Sequence, residues 1–219
     1  MKNRLSIFVT SLLFIACHQV PESDATIAGD KQQNAALTGD NFLIDTSKSY
    51  VTWVGTKVNG SHTGSIRIKT GVLSIKNNMV QGGRFVIDIT SLVNDDLPPK
   101  EKAKIEHHLK SADFFDIASH PTSVFEITGT VPFNENKDKS ILPKANHIIK
   151  GNLTLKGVTK NVTFPAVVTV ENNIVTARAD FLINRTDWGM NYKGAKNPQN
   201  WLIKKKVNLK LFLTASKSQ

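Results

Sequence analysis

In the stretch Val175-Thr176-Ala177-Arg178-Ala179-Asp180-Phe181-Leu182-Ile183, the residues Val175, Ala177, Ala179, Phe181 and Ile183 fall on one side of an extended chain. Thr176, Arg178 and Asp180 fall on the other. Successive side chains of a β-strand point to opposite faces, so this alternation turns one apolar face inward and one polar face to water. The same rhythm runs outward in both directions. Upstream, Val168 and Val170 alternate with Thr169 and Glu171, and Ile149, Gly151, Leu153 and Leu155 alternate with Lys150, Asn152, Thr154 and Lys156. Earlier still come Phe125 and Ile127, then Phe85, Ile87 and Ile89, then Ile66 and Ile68 followed by Leu73 and Ile75, and the β-rich run Tyr50-Val51-Thr52-Trp53-Val54. Downstream, Val207, Leu209, Leu211 and Leu213 close the series. Asn59-Gly60, Asn77-Asn78, Asn134 to Asp138, Lys156-Gly157 and Asn172-Asn173 separate these runs with turn chemistry. Many short antiparallel strands at close spacing predict an all-β sandwich or barrel.

One segment breaks the rhythm. Asp95-Asp96-Leu97-Pro98-Pro99 leads into Lys100 to Ser111, with acidic residues and proline placed as at a helix N-terminus. Ala103, Ile105 and Leu109 give this helix only a thin apolar stripe, which predicts that it lies over the surface or mouth of the β structure.

The N-terminus has another character. Lys2 and Arg4 precede an apolar run from Leu5 to Ala16, too short to span a bilayer permanently, as in a secretory signal peptide over residues 1–16. Cys17 is the single cysteine and follows Ala16 directly, so no internal disulfide can form, and lipidation of Cys17 with anchoring to a membrane is expected. Residues 17–40 are polar and poor in large apolar side chains, which predicts a flexible tether to a domain spanning 41–215. The net charge of +10 could favour anionic partners, but the lysines are dispersed and export makes nucleic acid an unexpected partner.

Catalytic constellations are weak. There is no G-x-S-x-G, no phosphate-cradling glycine loop and no H-E-x-x-H. His107, His108 and His120 lie near Asp113 and Asp116, but adjacent histidines on a helix point about 100° apart and rarely chelate together. No catalytic residue, metal or cofactor is therefore expected. Gly82-Gly83 within a strand run predicts a bulge or tight bend.

Six segments, taken in order, resemble the YceI-like family of exported lipid-binding proteins. They are Asp45 to Trp53, His62-Thr63-Gly64, His108 to Asp116, His120 to Phe125, Lys150 to Lys160 and Asn184 to Met190. The resemblance covers roughly Leu43 to Thr214. It implies a lipocalin-like antiparallel β-barrel of about eight strands with one short helical insertion and a long apolar channel. It also implies a periplasmic setting in a Gram-negative bacterium and, as ligand, a polyisoprenoid or isoprenoid-quinone-like lipid. An eight-stranded barrel is near the size at which the interior either just fills or holds one small ligand. The expected lining is Trp53, Phe85, Phe114, Phe115, Phe125, Leu153, Phe181 and Trp188, with Phe114-Phe115 folded over the mouth. Arg185 and Asp187 are expected to pair with each other or with backbone groups. Trp188 stands where many relatives carry a smaller aromatic, and Asn134–Lys139 and Lys193–Trp201 look like locally variable connections. Two other readings stand beside this one: an interaction module whose barrel is filled by its own side chains, and a metal-dependent enzyme using His107, His108 or His120.

Overall fold

The computed structural model describes residues 21–57, 60–192 and 203–218. Cys17, the expected signal peptide and the connection Lys193–Trp201 lie outside these residues. The strands are β1 (Asp24–Ala25), β2 (Asp40–Ile44), β3 (Tyr50–Lys57), β4 (Gly60–Lys76) and β5 (Met79–Asn94), followed by helix α1 (Pro99–Lys110). Then come β6 (Thr122–Pro132), β7 (His147–Leu155), β8 (Val158–Glu171), β9 (Ile174–Asn184) and β10 (Ile203–Lys217), with a 3₁₀ turn at Arg185–Trp188.

Each strand from β3 to β10 pairs antiparallel with the next, and β10 returns to pair with β3, which closes an eight-stranded barrel. β2 and β3 act as two halves of one stave. β2 pairs with the far ends of β4 and β10 (Leu43 with Val72, Ile44 with Ala215), and β3 continues along the same two neighbours from Tyr50. Closure leaves the staves no free edge to recruit another strand.

The hairpin turns explain the sharp reversals. Asn77-Asn78 and Asn172-Asn173 have φ between 50° and 60°, and Lys156-Gly157 has 47° and 73°, the left-handed pairs that match the twist of adjoining strands. α1 starts at proline and buries none of its residues completely, as its thin apolar stripe predicts. Gly82 and Gly83 sit where the β4–β5 register shifts between Ser74 and Ile75, the bulge expected from their sequence.

All turns joining β4 to β5 and β8 to β9 lie at one end, and α1, the β7–β8 turn and the 3₁₀ turn lie at the other. The first end is filled. Leu73, Ile75, Val80, Ile127, Ile149 and Leu213 pack there with Ala166, Ala177 and Ala179, small residues that suit a tapering interior.

The segment expected to be a flexible tether is laid across the outside of this barrel from Ser23 to Asp40. β1 runs parallel to β9 beside Phe181 and Leu182, and Gly29 bridges to Asn161 on β8. Gln32 and Asn34 then meet Asn152 on β7, the Ala35 N–H donates to the Ile127 carbonyl at 2.9 Å, and the Gly39 N–H donates to Ser74 Oγ at 2.7 Å. The physical reason is an outward-facing polar ladder. Asn152 is completely buried beneath the strap, and its Oδ1 accepts from the Gln32 N–H (3.0 Å) and Asn161 Nδ2 (3.1 Å). Its Nδ2 donates to the Gln32 carbonyl (2.7 Å) and Asn34 Oδ1 (2.9 Å). One side-chain amide thus gives the strap backbone the donor and acceptor that a β-bridge would supply.

Candidate functional site

The half of the barrel toward α1 is hollow. It holds a cavity of about 350 Å³, within the range of small-molecule pockets. Its walls are the inward faces already visible as alternation: Ile66 and Ile68 on β4, Phe85, Ile87 and Ile89 on β5, Leu153 and Leu155 on β7, and Val207, Leu209 and Leu211 on β10. Because β3 alternates, Val51, Trp53 and Gly55 come to the same interior.

The floor is aromatic. Phe85 and Phe125 stack with centroids 6.3 Å apart, Phe125 and Phe164 lie 5.7 Å apart, and Phe164 and Phe181 stack nearly parallel at 4.1 Å. Offset ring pairs of this kind add about 0.5–1.5 kcal/mol beyond the area they bury. Below them a pocket of about 30 Å³ is also lined by Phe85, Phe125, Phe164 and Leu211, so these side chains form the partition between the hollow and the filled halves. Gly151 makes room for the partition: a Cβ there would lie 2.2 Å from Phe125 Cζ. Gly64 does the same for Trp53, since its Cβ would lie 2.0 Å from the Val93 carbonyl oxygen and 2.4 Å from the indole.

The mouth is roofed by α1 and the turn after it, whose Ile105, His108, Leu109, Phe114 and Phe115 reach the cavity. The His108 ring stands edge-on to Phe114 (5.1 Å) and Tyr192 (4.2 Å), and the Arg185 guanidinium lies 5.6 Å from the centre of Phe114. Arg185 is 5% exposed. Its Nη1 donates to the Met190 carbonyl and its Nε to the Lys204 carbonyl at 3.4 Å, and burial lowers its pKa from the usual arginine value. Asp187 instead accepts from Asn184 Nδ2 at 2.8 Å. Of the two arrangements expected for Arg185, the structure shows the one with backbone carbonyls; among the described residues no carboxylate pairs with it.

Of the eight residues named for the channel, Trp53, Phe85, Phe114, Phe115, Phe125, Leu153 and Phe181 border this cavity. Trp188 is completely buried but stands outside the lining, with its Nε1 donating to the Leu153 carbonyl at 2.9 Å. The 3₁₀ turn carries it there, locked by Thr186 Oγ1 donating to Asn184 Oδ1 and by Gly189 in the left-handed conformation at φ 72°. It is tied to β7 by that bond and packs within the same buried cluster as the inward-facing strand residues. Sequence reasoning missed Phe164, whose place between Val162 and Ala166 on an alternating strand was a usable signal, and the basic residues at the rim.

His107, His108 and His120 do not converge. His108 Nε2 lies 3.2 Å from Asp113, while the His120 ring lies against Gly157. No group of three or more His, Cys, Asp or Glu side chains could hold a metal among the described residues. At the rim, burial raises the Asp96 pKa, but hydrogen bonds from His62, the Thr63 N–H and Asn94 outweigh it and hold the carboxyl below its usual range.

Fold and cavity together define a lipocalin-like barrel, closed at one end and open to an apolar chamber at the other. The YceI-like domain matches residues 42–215, and the chain belongs to the YceI-like family. Among solved structures it is similar to BcnA of Burkholderia cenocepacia, with a TM-score of 0.63 at 20% identity over 79% of this chain and 99% of that one. It is also similar to a polyisoprenoid binding domain from Saccharophagus degradans implicated in plant cell wall breakdown, with a TM-score of 0.59 at 14% identity over 81% of this chain and 98% of that one. In sequence it matches a UPF0312 protein of Azotobacter vinelandii at 39% identity over 64 residues, 29% of each chain. A UPF0312 protein of Pseudomonas paraeruginosa matches at 33% over 81 residues, 37% of each. The aligned stretches thus span about a third of these relatives' lengths.

Proposed function

We propose that this protein is a non-catalytic carrier or store for a polyisoprenoid or similar long apolar lipid in the periplasm. The observation that carries the reading is the hollow upper half of the barrel, walled mainly by apolar side chains and floored by stacked phenylalanines. A barrel built only as an interaction module would be expected to fill that space, as this one does below the phenylalanine partition. Isoprenoid methyls and methylenes entering the chamber gain about 25 cal/mol per Å² of apolar surface removed from water. The polyisoprenoid binding named for the Saccharophagus relative is in keeping with this. Trp53, Phe85, Phe114, Phe115, Phe125, Leu153 and Phe181 are the proposed contacts, and an isoprenoid quinone fits the same description as a long chain with a compact head.

Lipidation of Cys17 belongs to the same proposal. Ser23 is hydrogen-bonded to Asp180 and lies six residues after Cys17, so fully extended chain gives the barrel only about 20 Å of reach from the anchor. The protein would then work close to the membrane that supplies its lipid.

Titrating the protein with geranylgeraniol tests the function. Binding is expected to raise the melting temperature and quench Trp53 fluorescence, with the Trp53→Phe variant used to assign the signal. Saturating prenol that moves neither reading would exclude the proposal.

A further inference from the structure

The cavity's charge is one-sided. Five of its lining residues are basic or histidine: Lys57, His62, His108, Arg185 and Lys204; none is Asp or Glu. β3 and β10 bring Lys57 and Lys204 together, since Ile203 is the register partner of Lys57. The Arg185 Nε reaches the carbonyl of Lys204 itself. The nearby carboxylates are taken up by the two lining histidines, Asp96 by His62 and Asp113 by His108, which leaves Lys57, Arg185 and Lys204 without one among the described residues. Residues 58–59 and 193–202, outside the described residues, contain no Asp or Glu.

A buried guanidinium held only by carbonyls and an aromatic face carries an uncompensated charge, and two lysines close by add to the same local field. A wholly apolar ligand, or one with a neutral head, would leave that field unanswered. The stretch Trp53–Lys57 has a second unmet demand. Trp53 Nε1 and Thr56 Oγ1 are buried with no hydrogen-bond partner among the described residues, and both residues line the cavity. Buried polar groups without partners call for a physical explanation, and a ligand rich in acceptor oxygens supplies one.

Resting on the carrier reading above, we infer that the lipid is an acidic amphiphile. Its apolar tail lies in the chamber, and its anionic head, a phosphate or a carboxylate, sits at the mouth among Lys57, Arg185 and Lys204. Arginine and lysine together suit such a head, the guanidinium by its fixed donor geometry and the lysines as mobile point charges.

The experiment compares geranylgeraniol with geranylgeranyl phosphate, and palmityl alcohol with palmitate, on the full chain by thermal shift and tryptophan fluorescence, at low and high salt. The phosphate is expected to bind at least tenfold more tightly than the alcohol with the same tail, with the advantage shrinking as salt rises. Palmitate binding more tightly than palmityl alcohol would assign the carboxylate source, and the phosphate advantage alone would assign the phosphorylated isoprenoid. Lys57→Met/Lys204→Met is expected to bring phosphate and alcohol within about twofold of each other. Lys205→Met/Lys206→Met removes equal charge from exposed positions outside the lining and is expected to keep the preference. Alcohols that bind as tightly as both acids overturn the acidic head while leaving the lipid carrier standing. Failure of every ligand overturns both, and a preference that falls equally in the two double variants reduces the effect to net charge and overturns the site.

Discussion

Phe125 is the side chain on which the depth of the chamber turns. Its ring touches Phe85 on one side and Phe164 on the other, it lines both the large cavity and the small pocket beneath, and it is 9% exposed. Phe125→Ala removes the middle of the partition and joins the space of about 350 Å³ to the lower pocket of about 30 Å³. Phenylalanine-to-alanine changes in cores cost about 3–5 kcal/mol. This ring already faces open space, so the lower figure applies, and a loss of about 3 kcal/mol lowers the melting temperature of a domain this size by roughly 6–12 °C. Binding should move the other way for long chains. One more isoprene unit seated below the partition is worth up to about 4 kcal/mol at ~0.8 kcal/mol per buried carbon. Half of that, about 2 kcal/mol, is roughly a thirtyfold gain. Affinities for farnesol, geranylgeraniol and the next longer prenols, read from Trp53 quenching, should therefore peak at a longer chain in Phe125→Ala than in the natural protein. An unchanged length preference in a variant that is destabilised as expected would refute the reasoning, since the partition would then not end the channel.

Three further outcomes follow from other parts of the molecule. Asn152→Ala strips the strap of its amide partner and leaves the Gln32 N–H and carbonyl without a mate, at a cost of about 1–3 kcal/mol. Hydrogen exchange at Gln32 and Ala35 should speed up sharply while β7 stays protected, and unchanged exchange would mean that the strap is held by something else. Gly64→Ala drives a Cβ into the Val93 carbonyl and the Trp53 indole, so stability should fall by about 1–3 kcal/mol and prenol affinity with it; full retention of both in a melting and binding assay would contradict the close approach. His147 is buried at the filled end with its Nε2 unpartnered among the described residues, and burial lowers its pKa below 6.5. In the window between that lowered value and about 6.5 the unfolded chain binds the extra proton, so stability rises with pH through this range and is lost as pH falls through it. His147→Gln should flatten that slope in denaturant titrations at a series of pH values, and an equal slope in the variant would point to another group.

Much of the barrel was legible because strand alternation is a local property. Val175, Ala177, Ala179, Phe181 and Ile183 read as one face, and all five are buried in the interior. Trp53, Phe85, Phe125, Leu153 and Phe181, named as lining with the family resemblance, lie on strands where the same rhythm turns them inward. Trp188 escaped it because a 3₁₀ turn reorients successive side chains by roughly a third of a revolution each, so its ring packs in the core without lining the cavity. The strap was illegible for a different reason. Residues 23–40 bury backbone rather than apolar side chains, and their partners Asn152 and Asn161 read as ordinary water-facing strand positions. The basic rim could not be read locally either. Lys57, Arg185 and Lys204 come from three separate stretches of sequence, and only closure of β10 onto β3 and β9 brings them to one mouth.

The most direct test of the central claim is native mass spectrometry of the full chain purified without detergent from its own host. A mass excess that denaturation releases as a lipid with a long isoprenoid or comparably apolar tail, and that Phe125→Ala shifts toward longer chains, is the predicted result. A protein that flies at its bare mass from every preparation and takes up no added prenol would contradict the account.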